Sequence, residues 1–157
     1  MYSQSATQLV RAPRSAVYAA LLDPRATETW RVPDDMTARV AQWEPMEGGR
    51  FRVSLTYRAE ERTGKTEGAT DTYAGEFTRL VPDEQVVERI EFETDDPELQ
   101  GAMTMTWTLR DVEIAGAGGT EVELLHEGLP DVVPPEDNAI GTRMSLTKLA
   151  AYVEGAA

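Results

Sequence analysis

The sequence contains no cysteine. That absence excludes disulfides, a thiol nucleophile and every thiolate metal site. It has a single histidine, so a multi-histidine metal site is excluded as well, and no His/Asp/Glu cluster has metal-ligand spacing. Basic residues are scarce: fifteen Lys and Arg stand against twenty-eight Asp and Glu, for a formal net charge of −13. A surface that acidic repels phosphate backbones and anionic headgroups, which argues against nucleic acid and membrane surfaces as partners. No apolar run approaches the eighteen or so residues that a membrane-spanning helix needs. The first residues show no basic stretch followed by an apolar one, and a cytoplasmic location is the expectation. Neither a Gly-rich phosphate loop nor a nucleophile elbow is present, and no cofactor is expected.

What is present is patterned apolar sequence. Hydrophobic residues make up 41% of 157 and charged residues 27%, a globular composition that fits one domain over residues 1–157. After a short first segment, Ser15 to Leu22 places Val17 and Leu21 on one helical face. Asp23-Pro24 stops that helix, and Pro24 can open a second short one toward Trp30.

From about Thr37 to His126 the period becomes two. Phe51, Val53, Leu55 and Tyr57 alternate with polar neighbours, and so do Tyr73, Gly75 and Phe77. Val86, Glu88, Ile90 and Phe92 share a parity, as do Met103, Met105, Trp107 and Leu109, and then Val122, Leu124 and His126. Strict alternation marks strands with one buried and one wet face, the pattern of an antiparallel sheet covered on one side. Turn residues fall between them at Gly48-Gly49, Thr63-Gly64-Lys65, Pro82-Asp83-Glu84, Asp95-Asp96-Pro97 and Gly116 to Gly119.

Glu136 to Glu154 is the one long helical pattern, with Ile140, Met144, Leu149, Ala151 and Tyr152 near one side and Leu146, Ala150 and Val153 extending it. Gly141 weakens its first turns, so a late or bent start is expected. The apolar side of this helix and the apolar face of the sheet must cover each other.

The order of elements, together with several short motifs, resembles the helix-grip fold of the START/SRPBCC superfamily, which includes polyketide cyclases and pathogenesis-related allergens. The motifs are Ala12-Pro13 with Val17-Tyr18, Asp23-Pro24 before Trp30, Gly48-Gly49-Arg50-Phe51, Gly75-Glu76-Phe77 and Gly119-Thr120-Glu121-Val122 leading to His126-Glu127-Gly128. Within that superfamily the chain looks like the branch named for the activator of the 90-kDa heat-shock chaperone's ATPase. The resemblance implies an α+β domain: a strongly curved antiparallel sheet of six to seven strands wrapped around the C-terminal helix, with two short helices after strand 1. It also implies a cavity between sheet and helix for a small hydrophobic or aromatic molecule. One position departs from the branch, which usually has tryptophan after the helix glycine; Thr142 here leaves space and a hydroxyl.

The inward parity then supplies the expected ligand wall: Phe51, Val53, Leu55, Tyr57, Tyr73 and Phe77 from the first strands, and Ile90, Phe92, Met103, Met105, Trp107 and His126 from the later ones. Met144 joins them from the helix. Trp30 and Trp43, read as lying outside the regular strands, are candidates to cap the pocket or to pack ordinarily. The same residues could equally fill a core. His126 is the natural acid–base group, with Tyr57, Tyr73 and Glu88 as further candidates, though a lone histidine is more often structural. Glu88 would be costly to bury unpaired. Arg50, Arg52, Arg58 and Arg89 have the outward parity.

Three functions follow: binding of a lipid- or polyketide-like molecule, a cyclase, dehydratase or hydrolase acting on such a molecule, and a chaperone-binding module. The last ranks lowest, because the activator that names the branch carries a further N-terminal domain. A homodimer is left open.

Overall fold

A computed structural model describes residues 1–58 and 70–155. The expected turn at Thr63-Gly64-Lys65 lies outside the described residues. Strand β1 (Tyr2–Val10) is followed by helices α1 (Arg14–Leu21) and α2 (Pro24–Trp30). Six strands follow: β2 (Met36–Trp43), β3 (Arg50–Tyr57), β4 (Thr70–Val81), β5 (Gln85–Phe92), β6 (Met103–Ile114) and β7 (Ala117–Leu129). Helix α3 (Pro135–Gly155) ends the chain's described part. All seven strands form one antiparallel sheet in the order β1-β7-β6-β5-β4-β3-β2. The α+β helix-grip architecture read from the sequence is therefore the observed one, with the curvature helped by register shifts in β1/β7, β2/β3 and β4/β5.

Local chemistry explains the boundaries. Asp23 caps α2 through its carboxylate, which accepts from the amides of Arg25 at 2.9 Å and Ala26 at 3.4 Å, and Pro24 occupies the first helical position. The β6–β7 hairpin turns on Ala115 and Gly116, both at positive φ, so Gly118 and Gly119 belong to β7 and not to the turn. A two-residue turn with this geometry matches the twist of the strands it joins.

Helix α3 corrects two expectations. It starts at Pro135 without delay or break at Gly141, because a proline at the first position and Glu136 and Asp137 in the first turn favour initiation there. Its buried stripe is Leu146, Leu149, Ala150 and Val153, spaced i, i+3, i+4, i+7, while Ile140 is 63% exposed and Ala151 is exposed. The physical reason is position. The first half of α3 leans on β1 through polar contacts, with Asn138 donating to the Gln4 side-chain oxygen and Gln4 donating to the Pro135 carbonyl, both at 2.8 Å. Only the second half reaches the core.

The core is a layer between the concave sheet face and the helices. Phe51, Val53, Phe77, Val86, Trp107, Val122 and Leu124 face Val17, Leu21, Trp30, Leu146, Leu149 and Val153. Gly75 makes one close approach possible: a Cβ there would stand 2.3 Å from the Arg89 carbonyl oxygen and 2.5 Å from Phe51 Cζ. Gly75→Ala is expected to cost about 2 kcal/mol, the usual scale for forcing a methyl into filled space. Urea denaturation measures it, and an unchanged midpoint would mean that β4 and β5 shift freely.

Candidate functional site

Starting from the strands, period-two alternation sends Glu88 inward from β5, beside Met105 on β6, which in turn pairs with His126 on β7. Glu88 is buried at the centre of the sheet's concave face. A carboxylate there must be paired. Its partner is Arg31, the C-cap residue that follows α2. The Arg31 guanidinium donates to Glu88 Oε2 at 2.9 Å, with the two side chains 11% and 1% exposed. Trp107 Nε1 donates to the other oxygen, Oε1, at 3.0 Å.

Aromatic rings close around this ion pair. The Arg31 guanidinium carbon lies 5.9 Å from the Trp30 ring centre and 5.6 Å from those of Tyr73 and Trp107. Trp30 and Trp107 meet edge to face at 5.6 Å. Such packing over π faces favours a cation that has left water. A second Arg31 nitrogen points at the Met105 sulfur, 3.1 Å away, a weak acceptor.

Two polar side chains beside the pair have no partner in the protein. The Tyr73 hydroxyl and both ring nitrogens of His126 are buried without a hydrogen bond, on residues 9% and 7% exposed. Thr27 Oγ1, one turn before Arg31 on α2, is the third such case among the described residues. Burial pushes the His126 pKa down from 6.5 to about 4, and the nearby Arg31 charge pushes the same way against Glu88. Histidine is thus neutral near pH 7. Burial likewise raises the Tyr73 phenol above its ordinary value, partly offset by Arg31. Burial works against the Arg31 charge, but the charge and hydrogen bond of Glu88 together with Tyr73 outweigh it, and Arg31 holds its proton more tightly than usual.

The remaining expected wall residues divide in two. Phe51, Val53, Phe77, Ile90 and Met103 are buried, whereas Leu55, Tyr57, Phe92, Met105 and Met144 are half-buried. Thr142 is half-buried too. Trp30 is fully buried against Trp107 rather than set at an open edge. Trp43 is the last residue of β2, not a loop residue; its indole donates to the Leu22 carbonyl at 2.8 Å and packs on Phe51 and Phe77. His126 does not end its strand, which continues to Leu129.

The outward arginines behave as their parity indicates. Arg52 pairs with Glu93 and Arg89 with Glu91 at 2.8 Å on the exposed face. Arg31 had no such signal, because strand parity says nothing about the residue that closes a helix. The one clue to it was the requirement that an inward Glu88 have a cation.

The loop that follows Arg31 is anchored from α3. Lys148 donates to the Val32 carbonyl and lies 3.2 Å from Asp34. A separate groove of about 410 Å³ lies on the surface between α1 and the end of α3, lined by Ala12, Ala16, Ala19, Ala20 and Tyr152 among others. It contains none of the unpartnered polar atoms. Among the described residues no group of three or more His, Asp or Glu could hold a metal ion, and no helix is long and apolar enough to cross a membrane.

A curved antiparallel sheet gripping a C-terminal helix, with a polar centre in an aromatic interior, defines a START/SRPBCC-type protein. More narrowly, the chain belongs to the Activator of Hsp90 ATPase homolog 1-like protein family, whose model it matches over residues 11–154. Among solved structures it is similar to protein CV1439 from Chromobacterium violaceum, with 30% identity, a TM-score of 0.82 and coverage of 97% of this chain and 96% of that one. A protein from Arthrobacter aurescens is similar over 98% of this chain and 86% of its own, at 18% identity and a TM-score of 0.78. CalU16 from Micromonospora echinospora is similar over 96% and 75%, at 18% identity and a TM-score of 0.61. The last two likenesses concern the fold alone. No curated protein matches the chain.

Proposed function

We propose that this protein binds a small hydrophobic or aromatic molecule on the concave face of the sheet, between the sheet and α3. The observation that carries this reading is the pairing of an apolar, aromatic wall with buried polar atoms that no protein group satisfies. Buried hydroxyls and ring nitrogens nearly always have partners, and leaving them without costs about 1–3 kcal/mol each. A bound molecule with its own polar atom offsets that cost, and apolar sites with a few oriented polar groups are the usual form of a ligand pocket. The half-buried Leu55, Tyr57, Phe92 and Met105 extend the wall toward solvent.

Incubation with a metabolite extract followed by native mass spectrometry tests the proposal. One small-molecule adduct per chain is expected, and its loss on filling the interior with Leu55→Trp would locate it. A protein that retains nothing and binds no apolar probe would sink the reading.

The free nitrogens of His126 also favour a second reading, an enzyme of the cyclase, dehydratase or hydrolase kind. A neutral imidazole can accept a proton at one nitrogen and donate at the other. In that case a dehydratase or hydrolase releases a molecule that has lost or gained one water, a cyclase releases an isomer separated by its chromatographic retention, and His126→Gln keeps binding while stopping the conversion.

A further inference from the structure

Resting on the reading of the concave face as a ligand site, we propose that residues 32–34 form a lid over it, latched to α3 by Lys148, and that the occupant enters and leaves where this lid lifts.

The segment leaves α2 at Arg31 and reaches β2, an edge strand of the sheet, at Met36. At its start, Arg31 is fixed in the interior by Glu88, and the Arg31 amide donates to the Thr27 carbonyl at 3.1 Å. At its end, the Asp35 carbonyl accepts from the Arg58 amide at 2.9 Å, and Met36 pairs with Tyr57 on β3. The segment therefore runs from the polar centre to the half-buried part of the wall at Leu55 and Tyr57, with both ends fixed.

Its middle is held differently. Pro33 has no amide to give, and its carbonyl closes a local turn by accepting from the Met36 amide at 3.0 Å. Beyond that turn, Lys148 makes the only hydrogen bond and the only ion pair on residues 32–34 among the described residues. Its ammonium donates to the Val32 carbonyl and lies 3.2 Å from Asp34. Apolar anchoring is thin as well: Val32 and Met36 are buried, yet neither joins the apolar cluster that holds Trp30, Trp107 and Leu149.

A segment that lies over an interior without interlocking with it opens more easily than the core beneath. The latch is itself breakable. Asp34 is exposed, so water readily replaces its half of the ion pair, and the bond to Val32 carries most of the hold. Lifting residues 32–34 between Arg31 and Asp35 leaves the Arg31–Glu88 pair and the sheet intact. A few loop residues that absorb the motion between fixed ends are the usual build of a lid.

Stopped-flow mixing of the full chain with N-phenyl-1-naphthylamine, an uncharged apolar fluorophore, tests this. In Lys148→Met the association and dissociation rates should both rise about tenfold, the effect on the open fraction of losing one charge-assisted hydrogen bond, with the dissociation constant nearly unchanged. A residue that only touched the ligand would change the dissociation rate and the affinity instead. Asp34→Ala, at an exposed position, should move both rates the same way by about twofold, and it carries the test should Lys148→Met not fold. Arg143→Met removes the bond from α3 to the Thr7 carbonyl and, as the control, should leave both rates alone. Equal rates in wild type and Lys148→Met, or a change in dissociation alone, overturns the lid while the ligand site stands. If the wild type does not bind the probe, the ligand reading fails instead, and acrylamide quenching of tryptophan emission then reads the lid. Lys148→Met should raise the quenching of the buried Trp30 and Trp107 about threefold, and no rise overturns the lid.

Discussion

Replacing Glu88 with leucine is expected to destabilise the protein by about 4 kcal/mol, whereas the double replacement Arg31→Leu with Glu88→Leu should recover most of that loss. The pair is 2.9 Å apart with side chains 11% and 1% exposed. Removing one member leaves a guanidinium in a dry interior and strips the Trp107 indole of its acceptor at the same time. Breaking a buried pair in this way typically costs about 3–5 kcal/mol, while exchanging both charges for apolar groups is often near neutral. Arg31 cannot shed its charge to relieve the strain, because an arginine stays protonated under any condition the fold survives. Urea denaturation of the wild type, both single variants and the double closes the cycle, and the coupling term isolates the pair from the packing each side chain also supplies. A Glu88→Leu variant within about 1 kcal/mol of wild type would show that Arg31 swings out to solvent without cost.

Acidification should produce the other large effect. The His126 pKa is held down to about 4, first by burial and then by Arg31, against an ordinary value of 6.5. The sign follows from proton counting. Below pH 6.5 the unfolded chain takes up a proton on this side chain, and the folded chain does not until near pH 4. The folded state therefore loses ground as pH falls through that window, and the contribution is fully present only above pH 6.5. At about 1.4 kcal/mol per pH unit, the whole window is worth about 3 kcal/mol. Carboxylates titrate over part of the same range, so the informative quantity is the difference between wild type and His126→Leu, whose stability curve should be flatter by that amount. The chain has one histidine, and its ring proton resonance in an NMR titration reports the midpoint directly. A midpoint near 6.5 would falsify the buried neutral imidazole.

Much of the fold was legible because the strands obey a local rule. Side chains alternate across a strand regardless of what the rest of the chain does, so Phe51, Tyr73, Glu88, Trp107 and His126 could be assigned to one face before any pairing was known. The registers put Glu88 beside Met105, and Met105 beside His126, which turns separate parities into one polar centre. The helices were less legible. Apolar residues of α3 lie on overlapping stripes, and only the packing of its second half selects Leu146, Leu149, Ala150 and Val153 over Ile140 and Ala151. Trp43 escaped assignment to β2 because β2 has an irregular register, shifting between Val40 and Gln42, which blurs its alternation.

What the sequence by itself determined is the scaffold: which residues face inward along each strand, and that one sheet face and one helix side must cover each other. It also required that a carboxylate facing inward find a cation. Tertiary structure alone decided that the cation is Arg31. The direction of a side chain at the end of α2 depends on how that helix is seated on the sheet, and seating is set by contacts from residues far along the chain, such as Trp107 from β6 against Trp30. For the same reason only the folded chain shows that both Glu88 oxygens have a partner while the Tyr73 hydroxyl and the His126 nitrogens have none. Satisfaction of a buried polar atom is a property of its surroundings, and no local pattern in the sequence records it.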